Sequence, residues 1–330
     1  VEDVIRGDLP RRHAIEVVAF VTDAAARFGL PRPGSRAVVG RLDRDLLDLD
    51  DEYGVTLREA LQSQGLDPET LPGARRSADA IIAYLEVAAE AGPVLERLGA
   101  PVGVVPALSA SSILRVTLTG QAVSAATVPM SSRRDALTGM AECVLEAERI
   151  GSTREGVTVT VVRVDVEPLP TFVVTGCTTF GVCILSCDDA VRSATVIDLI
   201  AAFEGIAARR QLEIAIDQGV DPDATRCEPG IVRLFERAIE AAGHPIVRLA
   251  QGASTDAANM ALLGPIGLVL IRCRGGVGWG AAGVVESADI EVGLNVLTSV
   301  IATLASGTNV PPRRAGDRRI PRQARGWRTS

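Results

Sequence analysis

Lysine is missing from this sequence: all 34 basic residues among its 330 are arginine. Without lysine there is no Schiff-base amine, hence no pyridoxal phosphate held in the usual way, and no phosphate-gripping lysine of a P-loop. Histidine is almost missing too. His13, near the start, and His244, in the Gly243–Pro245 turn, are the whole supply. Neither sits in a motif and each reads as a solvated residue, yet a Ser-His-Asp device would have to use one of them. Aromatics are only 3% of an acidic chain, which argues against nucleic acid as a partner. No stretch reaches about eighteen uninterrupted apolar residues, which predicts no membrane span. No basic segment followed by an apolar one opens the chain, which argues against secretion. The expected location is the cytoplasm.

The six cysteines are Cys143, Cys177, Cys183, Cys187, Cys227 and Cys273, and none forms a Cys-x-x-Cys pair. With two histidines beside them, a zinc site has few ligands to draw on. Free thiols in a reducing compartment are the plain reading. Cys183 and Cys187 are close enough in sequence to leave a redox pair open.

What is present is ample apolar material, 47% of residues, enough for two domains with separate cores. Net charge is −7, with an exception at the end. There Arg313, Arg314, Arg318, Arg319, Arg322, Arg325 and Arg328 face one acid, Asp317. The segment 311–330 reads as a solvated tail, or as an arm that grips an acidic partner or a second chain.

Periodicity supplies the layout. Residues 15–22, IEVVAFVT, predict a buried strand. A helix is expected from Thr56 to Gln64, and Ile81–Glu90 and Pro93–Leu98 also read as helical. Leu114–Thr119 alternates as a strand. Arg133–Ile150 has helical apolar spacing, and Val157–Val166 and Val173–Ser186 are strand-like. Asp188 or Asp189 caps a helix to Arg209, and Leu212–Ile216 closes the set. The order β-α-β-β-α-β is that of a ferredoxin-like unit. Beyond Asp217 come a helix Pro229–Ala242, strands Ile246–Ala250 and Ile266–Arg272, and a helix from Ser287 to about Ala305. The fold class is α/β. Residues 1–110 plus 226–310 form one α/β domain, and 111–225 interrupt it as the ferredoxin-like insert.

A set of phrases carries a resemblance. They are VVAF at 17–20 with Arg27-Phe28, GVTLREAL at 54–61, GLDPE at 65–69, YLE at 84–86 and GPVLE at 92–96. PVGVV at 101–105, VTLTGQA at 116–122, TVPMSSRRDAL at 127–137, DDAVR at 188–192 and RGG at 274–276 continue them. In these the chain resembles the M20 metallopeptidase superfamily, in its hydantoinase/carbamoylase branch of N-carbamoyl-amino-acid hydrolases and allantoate amidohydrolases. The resemblance implies an M20-peptidase-like α/β domain, truncated at its start, with the insert serving as lid and dimerisation domain. It also implies two metal ions held by histidines and carboxylates, with a glutamate activating the bridging water.

Position by position, the ligand types are not there. After VVAF, two adjacent glutamates of the family are matched by Asp23 and Ala24. The family's His-Ile-Glu-Gln-Gly phrase is Ala88-Ala89-Glu90-Ala91-Gly92, and its Gly-His-Asp is Ser254-Thr255-Asp256, inside the stretch GASTDAANMA at 252–261. Its Ser-His-Ser is Gly278-Trp279-Gly280, and a substrate-polarising histidine of the insert is Ser124. The substrate-holding asparagine and arginine are matched by Phe172 and Leu185. The expectation is therefore no metal and no other cofactor. The remaining cleft is expected to be lined by Asp23 and Glu90 as proton-transfer groups and by Ser124, Thr255, Asp256 and Trp279 as ligand contacts.

Two functional readings follow. In the first, the chain is a metal-independent, non-hydrolytic enzyme of lyase or cyclase type. It acts on an amino-acid-like intermediate of specialised metabolism by steps such as amine-nucleophile ring closure to an aziridine. In the second, it is a non-catalytic scaffold or stabilising subunit of a biosynthetic complex. Either way a second polypeptide is expected over the sheet left bare by the truncation, with a homodimer through the insert and an amino-acid-like small molecule or its carrier protein as partner.

Overall fold

The computed structural model describes residues 12–20, 27–167, 171–219, 223–250, 255–277 and 283–307. Two compact units emerge. One takes the chain up to Leu108 and resumes at Thr225; the other is Ser109–Ala224.

The first unit opens with α1 (Pro33–Val38), α2 (Arg44–Leu47) and α3 (Leu57–Ser63). Thr56 starts α3 with a capping box: its hydroxyl accepts the Glu59 N–H, and the Glu59 carboxylate accepts the Thr56 N–H. Phe28, Leu30, Leu47 and Leu57 form a small core of their own beneath these helices. The sheet of this unit has three strands, β1 (Tyr84–Ala89), β2 (Val102–Val105) and β9 (Ile266–Ile271), in the order β1-β9-β2. β9 runs parallel to β1 and antiparallel to β2. All six residues of β9 and all four of β2 are buried, which explains their unbroken apolar sequences. Between β1 and β2 lies α4 (Val94–Leu98).

Helices α7 (Pro229–Ala241) and α9 (Ser287–Ala305) pack on this sheet, and a short α8 (Asp256–Met260) precedes β9. A Cβ at Gly267 would stand 2.3 Å from Ile231 Cγ2 and 2.9 Å from Phe235 Cε2, so the bare glycine lets α7 lie directly on β9. At 19 residues and mean hydropathy 1.4, α9 is long and apolar enough to cross a bilayer. Here its Val296, Val300 and Leu304 belong to the core around β9.

The second unit is β4 (Ala110–Thr119), α5 (Ala136–Thr153), β5 (Val157–Val166), β6 (Cys177–Ser186), α6 (Asp189–Arg210) and β7 (Glu213–Gln218). Its sheet order is β5-β6-β4-β7, antiparallel throughout, the arrangement expected of a ferredoxin-like unit. Asp135 and Asp188 cap α5 and α6 through backbone N–H bonds. Leu114, Val116 and Leu118 alternate inward from β4 to meet Phe180, Val182 and Ile184 from β6. Phe203 of α6 closes edge-on over Phe180 with ring centroids 5.8 Å apart. The register slip falls in β5 between Val161 and Arg163, opposite Gly181. Two short strands, β3 (Ala107–Leu108) and β8 (Thr225–Arg226), pair antiparallel in the first unit where the chain passes to and from the second.

Three expectations need correction. Ile81–Glu90 is not helical: Tyr84–Ala89 is a strand, because the ladder with β9 outweighs the helix preference of its alanines. The run predicted as a buried strand at 15–22 has no strand among its described residues, and Val17 and Val18 are 74% and 48% exposed. An apolar run becomes a strand only with a neighbour to pair with, and among the described residues it has none. Ile246–Ala250 is reduced to one bridge, Arg248 to Val104.

The two kinds of glycine contact give a paired prediction. Gly267→Val drives methyls into Ile231 and Phe235 and should destabilise the chain by about 1–3 kcal/mol. Gly205→Ala, exposed on α6 with nothing within 4 Å, should stabilise it by about 0.5–1 kcal/mol. Urea midpoints of the two variants should move in opposite directions.

Candidate active site

β1 presents alternate residues to each side of the sheet, so Glu86, Ala88 and Glu90 follow one another along one face. The residues at its two ends do different things. At the C-terminal end Glu90 is 5% exposed. Its Oε1 accepts the Val94 N–H at 2.8 Å and its Oε2 the Leu95 N–H at 3.0 Å. Both oxygens are thus committed to the open amides at the start of α4. The β9 side is fastened to the same corner. Gly276 sits so close to Gly92 that a Cβ would be 2.6 Å from the Gly92 carbonyl carbon, and the Gly275 N–H donates to Glu96 at 3.0 Å.

Further back along β1 lies a polar cluster that motif reading passed over. Glu86 Oε2 accepts the Ala257 N–H at 2.8 Å and the Tyr84 hydroxyl at 3.1 Å. Ala257 belongs to α8, whose first residue, Asp256, is 6% exposed. Arg32 Nη1 stands 3.5 Å from Asp256 Oδ2, and the Asn259 side-chain amide donates to Ser35 Oγ at 2.8 Å. The short helix bearing Asp256 is therefore tied to β1 and to α1 by protein groups. Two buried oxygens in it, Thr255 Oγ1 and Asp256 Oδ1, have no hydrogen-bond partner.

Arg32 has an unusual backbone, φ 57° and ψ 51°. It lies between two prolines, and the ring of Pro33 disfavours the right-handed helical conformation at the residue before it. A left-handed, non-glycine residue costs about 1–2 kcal/mol, and here it aims a cation at Asp256.

Burial holds the Glu86 carboxyl above its ordinary range, and the Asp256 charge pushes the same way; the Ala257 and Tyr84 donors pull against it. The Tyr84 phenol is raised as well, by burial and by Glu86. Among the described residues no three His, Cys, Asp or Glu side chains converge as a metal-binding group. All six cysteines are free thiols; burial raises Cys183 and pushes Cys143 up to about 12.

The predicted site residues divide as follows. Glu90, Thr255 and Asp256 lie in the first unit. Ser124 lies in the second, exposed in a loop that bridges to Val173 and is braced by Arg133 bonds to the Ala125 and Val128 carbonyls. Asp23, Trp279 and the arginine-rich segment 311–330 fall outside the described residues. Tyr84 and Glu86 were in view only as part of the YLE phrase, and nothing in the local sequence marks Arg32. A cavity of about 560 Å³ between α5 and α6, lined by Arg149, Arg154 and Asp198 among others, is in the second unit and shares none of these groups.

Comparison with known proteins gives consistent results. No family model matches the sequence. The chain is 33% identical over 296 residues to an N-carbamoyl-L-amino acid amidohydrolase of Geobacillus stearothermophilus, covering 89% of this chain and 72% of that protein. It is 30% identical over 321 residues to an allantoate deiminase of Arabidopsis thaliana, covering 88% and 61%. A solved hydantoinase/carbamoylase family amidase from Burkholderia ambifaria superposes with a TM-score of 0.80 at 30% identity, covering 92% and 73%.

These relatives correct the functional expectation. A non-hydrolytic ring-closing enzyme and a scaffold subunit were the two readings of the sequence. The proteins it matches along nearly its whole length are named amidohydrolases and a deiminase, which points to hydrolysis.

The Glu86 environment sets a pH dependence. A carboxyl raised in the folded state contributes stability that is whole below the ordinary glutamate range and is lost as pH rises through its raised folded-state value. Glu86→Gln removes that loss. The urea-midpoint difference, wild type minus variant, should fall as pH rises across this window; a flat difference means Glu86 titrates alike folded and unfolded.

Proposed function

Because the chain belongs to the hydantoinase/carbamoylase family, we propose that it hydrolyses a C–N bond of an N-carbamoyl amino acid or a related ureido acid. The single observation that carries this reading is the 33% identity to an N-carbamoyl-L-amino acid amidohydrolase across 89% of the chain. In such a reaction the water oxygen bonds to the carbamoyl carbon, the C–N bond breaks, and the departing nitrogen takes up a proton. Asp23 directly follows the VVAFVT run, where the resemblance puts the water-activating glutamate. In our reading it accepts the water's proton, a task that needs a carboxylate within reach of the water. In the same reading Trp279 contacts the substrate. Glu90, with both oxygens on backbone amides, keeps α4 in place.

The metal pair that the family framework implies does not fit the donor set of this chain. Ala88 and Thr255 stand at two histidine-ligand positions and Ala24 and Trp279 at others. Asp256 is matched with Arg32, and Glu90 is fully engaged. No step of the proposed reaction is therefore routed through an ion. A partner belongs to the same proposal. Exposed Val17 and Val18, and an edge of β1 with no strand beside it among the described residues, favour a second polypeptide or a homodimer. The free thiols support a reducing compartment such as the cytoplasm.

Incubation with a panel of N-carbamoyl-L-amino acids and allantoate should release ammonia together with the amino or ureido product. Absence of release above the blank across the panel sinks the proposal. Asp23→Asn should cut turnover by roughly 10²–10⁴-fold with an unchanged melting temperature, whereas Glu90→Gln should lower the melting temperature.

A further inference from the structure

We infer that this chain does not hold metal ions where its family's hydrolytic framework is built for them, and that the Arg32 guanidinium supplies the fixed positive charge there instead. The inference deepens the site of the proposed function and rests on that placement. Its test reads ion content and stability rather than turnover, so failure of the hydrolytic reading leaves it separately testable.

The first support is the donor set. Zinc and manganese sites of this kind need imidazole nitrogens and carboxylate oxygens converging on one point. On the face of β1 and at the start of α8 the chain instead offers a methyl group at Ala88, between Glu86 and Glu90, and a buried hydroxyl at Thr255. Glu86 and Glu90 both spend oxygens on backbone N–H groups.

The second support is the way the loop is organised. In a metal-built site the ion itself ties the ligand loops together. Here three protein contacts do so: Glu86 to the Ala257 N–H, Arg32 to Asp256, and Ser35 to Asn259. Two of them bring α1 to α8 across 224 positions of sequence. These groups fasten α8 to β1 and α1 through protein contacts.

The third support is charge. Glu86 and Asp256 are close enough that each acid's charge acts on the Tyr84 phenol, and Asp256 Oδ1 is buried without a hydrogen-bond partner. A buried carboxylate needs a compensating cation. Arg32, with its side chain 16% exposed, is the cation at hand. It is held in a left-handed conformation that an arginine does not adopt without surrounding constraint. A guanidinium cannot be deprotonated in proteins, so the positive charge is permanent, and it repels a divalent ion approaching Asp256.

The test uses the full chain and two variants. Metal analysis of the purified protein should find well below one zinc, manganese, cobalt or nickel ion per chain. Its melting temperature should not change on addition of manganese or zinc chloride. Two ions per chain, or a melting temperature raised by manganese or zinc, overturns the inference. Arg32→Gly relieves the backbone strain and removes the cation, and Arg32→Ala removes the cation alone. Both should melt below wild type in divalent-free buffer and regain part of the loss with manganese chloride. A variant that melts like wild type, or that is destabilised with no regain in manganese, overturns the charge role of Arg32, because packing loss alone predicts no cation dependence.

Discussion

Strand β9 is hydrogen-bonded along both edges and buried at each of its six positions, and the candidate site is arranged around that constraint. A strand with no free edge and no exposed face has one register available to it, since a one-residue slip would exchange every side chain between faces. Its partner β1 is held in that register from Tyr84 to Ala89, which fixes Glu86 and Glu90 on one face with Ala88 between them. Gly267 lets α7 press on β9, and Gly293 of α9 similarly leaves room for Ile271. The framework is rigid because its packing tolerates no added methyl at these points.

Electrostatics then decides what that framework presents. The half-buried Glu86 and the buried Asp256 would be costly alone. They are kept by a tyrosine, a backbone amide and one arginine, each contributed by a different segment of the chain. Glu90 shows the other use of a carboxylate, as a cap for the exposed amides of a short helix. The same residue type, once within β1 and once just past its end, thus serves a charge network in one case and a helix end in the other.

Single positions and overall similarity point in different directions for this chain. Reading single positions, the sequence seemed to have abandoned hydrolysis, because alanine, threonine and tryptophan stand where ligands are expected. Comparison along the whole length points back to amidohydrolases. The two are reconciled if the family's reaction class is kept while the charge at its centre is provided differently. The Arg32–Asp256 pair is the physical form that such a change takes in this molecule.

Local sequence was enough for elements that are decided locally. The ferredoxin-like unit was legible because β4, β5 and β6 alternate and α5 and α6 carry their own aspartate caps. α9 and β9 were legible for similar reasons, and so were the family phrases. Tyr84–Ala89 was not, since alanine and glutamate favour helix until a buried strand offers a ladder. Nor was the fate of Val17 and Val18, which depends on what lies beside them. Arg32 and Asp256, 224 positions apart, illustrate the limit. Periodicity and caps determined most of the elements, and the motif phrases determined the family. Only the tertiary structure decided which charges meet, because a Coulomb interaction depends on separation in space and is blind to separation along the chain.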